Sequence, residues 1–476
     1  MGLRPGEGEE CRDPPGRTIP GQLETGAGRR PNGPRPRGVP KGAKMRTEGE
    51  IRPAAGPGPE RIDLNEVVLA LSDALDLVGS HVVQHGKRVA FMAASCGRSL
   101  ALEESERSDL LLAAVLHDCG VSSTRLHARL LEADLAFEEA RGHAEAGADL
   151  LRRFEPLSRV AAIVGLHHTP WDSGERRAAD PRVALLANLV FLADRVDALL
   201  QARRGSDPLL ATDELRRWVF ARTGSLFSEE AVGAFLATSA AEAFWLTLEA
   251  HHLERALRDE MRLEQSRSVP ASALEDLALV FAEIVDAKSP FTAAHSLGVA
   301  RLAALLGRLA GLDPRTSSHL RVAGLLHDLG KLRVPDEVLD KEAPLDEGEF
   351  AKIERHAFET FQILRRVEPL REIATWAGYH HEGLSGTGYP FRRRAEEIPV
   401  PARLLAIADV FQAFAQRRPY RGPLGPEAIL GHLRRFVEAG KLDPRGVDLV
   451  AANLAECYRA ATLDGDAEHG EPTSPA

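Results

Sequence analysis

Leu325-Leu326-His327-Asp328-Leu329-Gly330-Lys331 sets an adjacent histidine and aspartate inside an apolar run. Upstream, Asp313-Pro314 reads as an N-cap followed by Pro at the first helical position. Nothing from Pro314 to Leu329 breaks a helix, and Gly330 suits its end. The turns from Leu320 to Leu329 are apolar on nearly every side, so the pattern predicts a buried helix. An unpaired charge there is expensive or is neutralised. A salt bridge or a metal ion resolves that cost. A single buried His-Asp pair would call for nothing more than a salt bridge, but the pair recurs.

His117-Asp118 matches His327-Asp328, and the surroundings match as well. His85 precedes His117 by 32 residues, and His295 precedes His327 by 32. The next histidine, His143 or His356, follows at 26 or 29 residues. Twin histidines, His167-His168 and His380-His381, begin 24 residues later in both cases. An aspartate in an apolar run closes each set: Asp194 in Leu192-Ala193-Asp194-Arg195-Val196 and Asp409 in Ile407-Ala408-Asp409-Val410-Phe411. The same ordered set twice predicts two tandem domains of one fold. Ten of the 17 histidines belong to these two sets.

The rest of the chain fits that organisation. From Ile62 onward apolar residues recur at helical spacing, as in Val67-Leu71-Leu75 and Val89-Met92-Ala93-Cys96, and strand signals are nearly absent. The expected fold class is all-α, with two helical bundles. Residues 1–60, rich in Gly, Pro, Arg and Glu, read as a disordered segment, or Met45 is the true start. Residues 61–250 form the first helical domain, 251–271 a charged helical linker, 272–461 the second domain and 462–476 a polar tail. The net charge of −10 argues against coating a nucleic acid. Four scattered cysteines without a CxxC pair fit a reducing, cytoplasmic compartment and give no zinc-finger signal. Neither a transmembrane run nor a signal-peptide core is visible, so no membrane role is expected.

Five imidazoles and two carboxylates are too many for one metal of ordinary coordination. They suit two divalent ions with one carboxylate bridging. Mixed nitrogen and oxygen ligation favours iron or manganese, with zinc as a third choice. Two such ions clamp a phosphoryl group during in-line attack, so the reaction class is hydrolysis of a phosphate ester.

The second block resembles an HD-GYP domain, the bacterial HD-superfamily phosphohydrolases that act on cyclic di-GMP. The resemblance is carried by His295-Ser296, by the run from Leu325 to Lys331, by Val334-Pro335-Asp336 and by His356. It continues through His380-His381-Glu382-Gly383-Leu384-Ser385-Gly386-Thr387-Gly388-Tyr389-Pro390, Glu397-Ile398-Pro399, Ala408-Asp409-Val410-Phe411 and Arg418-Pro419-Tyr420-Arg421. It implies that His295, His327, Asp328 and Asp409 hold one metal, and Asp328, His356, His380 and His381 the other. It further implies that Asp328 and Lys331 are catalytic. Lys331, Gly388, Tyr389, Pro390 and Arg418 would meet the substrate. Some family members carry a Glu four residues before the first histidine and bind a third metal. Phe291 stands there, so two are expected. The stretch Gln412 to Arg417 is less polar than is usual in the family.

The first block resembles a plain HD domain. His85, His117, Asp118, His143, His167, His168 and Asp194 form a second candidate metal site, but Val121 replaces the lysine and Thr169-Pro170-Trp171 replaces the Gly-Tyr-Pro loop. It is expected to take metal and to contribute little to turnover. The leading expectation for the chain is a cyclic-di-GMP phosphodiesterase that gives the linear dinucleotide, and onward GMP, in bacterial signalling. Two alternatives stay open: hydrolysis of another nucleotide, and a weakly active scaffold that docks signalling partners through the Gly-Tyr-Pro loop. Homodimerisation is also left open.

Overall fold

The computed structural model describes residues 61–462 apart from 79–83, 122, 125, 127–136, 204–206, 264–266, 289–294, 342 and 418–421. The expected disordered head and the tail from 463 lie outside the described residues, as do Phe291 and Arg418.

Six helices of each block correspond, and the last five of each carry or lead into the histidine sets. In the first block they are α1 (Leu64–Leu75), α2 (His85–Ser99), α3 (Glu104–Leu116), α4 (Phe137–Arg152), α5 (Ser158–Gly165) and α6 (Pro181–Gln201). Their counterparts are α7 (Ala273–Asp286), α8 (His295–Leu309), α9 (Pro314–Leu326), α10 (Glu347–Leu364), α11 (Arg371–Gly378) and α12 (Val400–Ala415). Further helices follow each set, including Ala250–Leu263 and Pro426–Glu438. Among the described residues the fold is all-α apart from one short strand pair.

Local sequence explains the helix starts. Asp63 accepts from the Asn65 and Glu66 N–H groups, and Asp313 from that of Thr316. Glu103 with Glu106, and Asp346 with Glu349, close reciprocal capping boxes. Interior turns are apolar, and one core of buried Leu, Val, Ile, Ala and Phe runs through both blocks.

The blocks embrace reciprocally. β1 (Arg61–Asp63) and β2 (Ser268–Pro270) each lead into the first helix of a block and pair antiparallel, with Ile62 opposite Val269. α1 packs on α10, and α7 packs on α4. Arg366 pairs with Asp73, and Arg153 pairs with Glu283 at the corresponding place. This is the self-complementary pattern of a two-fold dimer interface, built within one chain. One buried node has no counterpart among the described residues. Asp336 accepts from Ser123 Oγ at 2.7 Å and from the Thr124 N–H at 3.1 Å, and pairs with Lys288 Nζ at 3.2 Å.

The helix expected to run to Leu329 ends earlier. α9 stops at Leu326, and Leu329–Arg333 winds as a 3₁₀ helix. His327 Nδ1 lies 2.8 Å from the Gly324 carbonyl, while the Gly330 N–H turns away to Thr360 Oγ1 at 2.9 Å. A Cβ on Gly330 would lie 2.2 Å from the His356 carbonyl oxygen, and one on Gly120 would lie 2.1 Å from that of His143. Only glycine lets this turn lie against the helix that carries the next histidine.

Candidate metal centres

In the second block α8 opens on His295, α9 ends at His327-Asp328, α10 carries His356, α11 leads into His380-His381 and α12 carries Asp409. All seven converge. His295 Nε2 lies 3.3 Å from Asp409 Oδ1 and 3.8 Å from Asp328 Oδ2. His327 Nε2 lies 3.2 Å from Asp328 Oδ2 and 3.8 Å from Asp409 Oδ1. The other oxygen of Asp328 faces His356 Nε2 at 3.4 Å and His380 Nε2 at 4.0 Å. Asp328 therefore stands between two clusters, His295/His327/Asp409 and His356/His380/His381, each with its ligand atoms within 4.8 Å of one another.

The helix backbone sets the tautomers. Nδ1 of His327, His356 and His380 faces a carbonyl three residues back, at 2.8, 2.5 and 2.5 Å. A carbonyl only accepts, so Nδ1 carries the proton and Nε2 presents a lone pair inward. Burial pushes His356 down to about 4 and His380 down to about 3. Burial and the neighbouring His380 hold His381 well below its ordinary value too. These rings are neutral ligands near pH 7. Burial alone would raise Asp328, but His327, Lys331 and His356 hold it well below the carboxylate range. His327 Nε2 and Asp328 Oδ1 are buried without a hydrogen bond in the protein. Buried polar atoms of this kind require a partner, and a cation between them supplies it. The residues fit divalent metal.

The first block assembles the same way. His85 Nε2 lies 3.4 Å from Asp194 Oδ1, His117 Nε2 3.3 Å from Asp118 Oδ2, and His143 Nε2 3.3 Å from Asp118 Oδ1. Asp118, His143, His167 and His168 bring ligand atoms within 4.8 Å of one another. His117 and His167 again turn Nδ1 to carbonyls, at 2.8 and 2.6 Å. Burial, aided by His143 and His117, takes His167 down to about 3. His85 goes the other way: burial opposes its charge, but Asp194 and Asp197 outweigh it and raise the ring to about 10.

Comparisons with known proteins bear on both centres. Models described as HD domain match residues 82–199 and 279–446. The 3′3′-cGAMP-specific phosphodiesterase 1 of Vibrio cholerae is 35% identical over 414 residues, covering 86% of this chain and 95% of that protein. The chain belongs to the HD-GYP family. Its second block is the HD-GYP domain, and its first is a further HD domain in tandem. A cyclic di-GMP phosphodiesterase response regulator of Xanthomonas campestris is 32% identical over 206 residues, 43% of this chain and 54% of that protein. A crystal structure of a cyclic GMP-AMP specific phosphodiesterase of Vibrio cholerae superposes with a TM-score of 0.59 and 26% identity, over 82% of this chain and 97% of that one. Relatives of the HD-GYP chain are thus phosphodiester hydrolases. No described helix is long and apolar enough to cross a membrane.

The HD-GYP mouth is built on the twin histidines. Tyr389 lies over His381, with ring centroids 4.8 Å apart, and its N–H reaches the His381 carbonyl at 3.3 Å. Pro390 follows across a cis peptide. A Cβ on Gly388 would sit 2.3 Å from the Gly383 nitrogen, so Gly388 shapes the loop through close backbone approach. A cavity of about 110 Å³ opens here, lined by His380, His381, Gly388, Tyr389, Val410 and Lys441 among others. Lys331 contacts Asp328 Oδ2. Lys441 escaped the sequence reading. Only its place beside Leu442, 33 residues after Asp409, could have drawn notice.

The HD centre also departs from expectation. It is not without a cation: Arg195 sits against Asp194 Oδ2 at 2.8 and 3.0 Å. The outer partner of the first histidine differs too. His85 Nδ1 has Asp197 Oδ2 at 2.7 Å, whereas His295 Nδ1 has Gln416 Oε1 at 3.1 Å.

Proposed function

We propose that the HD-GYP domain hydrolyses a cyclic dinucleotide, with 3′3′-cGAMP the preferred substrate. The carrying observation is the convergence of the His295–Asp409 ligand set, with Lys331 on Asp328 and the Tyr389 cavity opening at His380 and His381. The choice of 3′3′-cGAMP rests on the Vibrio cholerae relative, which matches through both blocks. Cyclic di-GMP is the second reading, favoured by the Xanthomonas campestris relative.

His295, His327, Asp328 and Asp409 would hold one ion, and Asp328, His356, His380 and His381 a second, iron or manganese before zinc. Two such ions supply Lewis acidity and an activated water at neutral pH. Lys331 places a cation where charge grows on the phosphoryl oxygens, and Tyr389 and Lys441 border the space for the nucleoside. Water attacks phosphorus, the P–O3′ bond breaks, and the ribose oxygen leaves with a proton as the 3′-hydroxyl. The product is a linear dinucleotide with a 5′-phosphate, and a second cut gives mononucleotides. His85, His117, Asp118, His143, His167, His168 and Asp194 form a further metal site with a lesser part in this turnover.

The test uses purified full chain of measured metal content with each cyclic dinucleotide, products being resolved by chromatography. Faster opening of 3′3′-cGAMP supports the proposal. Preference for cyclic di-GMP supports the second reading. A fully metallated chain that opens neither overturns both.

A further inference from the structure

The two centres carry their cations on opposite walls. In the HD-GYP domain Lys331, from the turn after α9, covers Asp328. The corresponding residue of the first block is Val121, which is buried and apolar. In that block the cation comes from α6: Arg195 reaches Asp194 Oδ2 through Nη2 at 2.8 Å and Nε at 3.0 Å. The residue corresponding to Arg195 in the HD-GYP domain is Val410. Lysine and valine in one centre are thus valine and arginine in the other.

Exposure follows the exchange. The Asp328 side chain under Lys331 is 3% exposed, and Asp409 opposite is 14% exposed. In the first block the Asp194 side chain under Arg195 is 3% exposed, and Asp118 opposite is 17% exposed. Each centre therefore has one carboxylate capped by a cation and one that stays open. The Arg195 side chain keeps 12% of its surface exposed, beside His168, whose ring nitrogen lies 3.9 Å from the same Asp194 oxygen. A planar guanidinium at the rim of a ligand set is suited to two parallel hydrogen bonds to phosphate oxygens.

We propose that Arg195 makes the first-block centre a binding site for a phosphate-bearing anion, acting from the α6 wall as Lys331 acts from the opposite one. The proposal deepens the reading of that centre as a metal site and rests on it for the metal alone. A guanidinium that only neutralised Asp194 would matter for the ligand set and not for the anion, and the two roles separate experimentally.

The experiment titrates inorganic phosphate calorimetrically into the full chain carrying Asp328→Ala, which silences the second centre, with metal content measured alongside. Arg195→Gln should weaken phosphate binding on the order of tenfold or more at unchanged metal content, and Arg195→Lys should restore part of it. The same pair of substitutions in the chain with both centres intact should weaken one of two phosphate sites, which guards against misfolding of the Asp328→Ala background. Phosphate affinity indifferent to Arg195→Gln overturns the proposal. Loss of metal together with phosphate also overturns it, since Arg195 then serves Asp194. A metal-free first centre whose phosphate binding still depends on Arg195 removes the metal reading and leaves this proposal standing. A metal-free centre without phosphate binding removes both.

Discussion

Asp197 holds His85 through a 2.7 Å contact between Oδ2 and Nδ1, and the same carboxylate receives Arg88 Nε at 2.6 Å and Nη2 at 2.9 Å. The second block dismantles this arrangement. Gly298 and Gln412 stand where Arg88 and Asp197 would be, and a Cβ on Gly298 would lie 2.4 Å from the Gln412 side-chain carbon. A carboxylate behind a ligating imidazole fixes its orientation and raises its basicity.

Asp197→Asn should therefore weaken metal binding at the first centre by about 10- to 100-fold while leaving the second centre's affinity unchanged. Competition with a chromophoric chelator reads both. An equal loss at the two centres would show a general folding defect, and no loss would remove Asp197 from the metal site.

Lys331 and Asp328 touch, yet their replacement should have different signatures. Asp328 faces both ligand clusters, so Asp328→Ala should deplete metal from the second centre. Lys331→Ala should keep the metal and slow hydrolysis by on the order of a hundredfold, because its charge acts mainly on the transition state. Metal analysis beside single-turnover rates separates them. Metal lost from Lys331→Ala would recast the lysine as a prop for Asp328.

The histidine sets were legible because their ligands recur in one order at equal or near-equal offsets along apolar helices, and that was enough to align the blocks. Arg195 was not legible. Neighbours on a helix point about 100° apart, so a residue adjacent to a ligand is ordinarily read as facing elsewhere. The length of arginine brings its head back onto Asp194. The places of Lys441 and Asp336 escaped for another reason: Lys441 lines a cavity with His380, and Asp336, read only as part of a motif, meets Ser123, both far off in sequence. The early end of α9 depends on Thr360 and on the His356 carbonyl, both supplied by α10.

Acid should destabilise the metal-free protein. Burial lowers His167 and His380 to about 3 and His356 to about 4, from an ordinary 6.5, and holds His168 and His381 well below 6.5 as well. In the unfolded chain these rings take protons near 6.5, and in the folded chain they do not. Their contribution is present above 6.5 and is lost as pH falls toward 4 and 3. His85, raised to about 10, gives a contribution already complete below 6.5. Asp76 and Asp286, raised by burial to about 6, pull the other way, but they are two groups against five. The thermal midpoint of chelator-treated protein should fall steadily between pH 6.5 and 4.5. A flat or rising midpoint would mean that the histidines are solvated or already charged in the folded state.

Asp336 ties together three segments that adjoin candidate site residues: the turn after Lys331, the end of α7 leading toward His295, and the loop after His117-Asp118. Both Asp336 and Lys288 are buried, at 3% and 1% side-chain exposure. Removing one partner of a buried ion pair leaves a desolvated charge and costs about 3–5 kcal/mol. Asp336→Ala should therefore destabilise the full chain by about 3 kcal/mol in urea unfolding and loosen the blocks from each other. Asp336→Asn keeps an oxygen for the Thr124 N–H and offers an amide N–H to the Ser123 hydroxyl oxygen while removing the charge, so it should recover part of the loss. If Asp336→Ala costs less than about 1 kcal/mol, the pair is weak and the embrace is held by the apolar packing of α1 on α10 and α7 on α4. If Asp336→Asn is as damaging as Asp336→Ala, the ion pair to Lys288 carries the node and the hydrogen bonds to the first block are incidental.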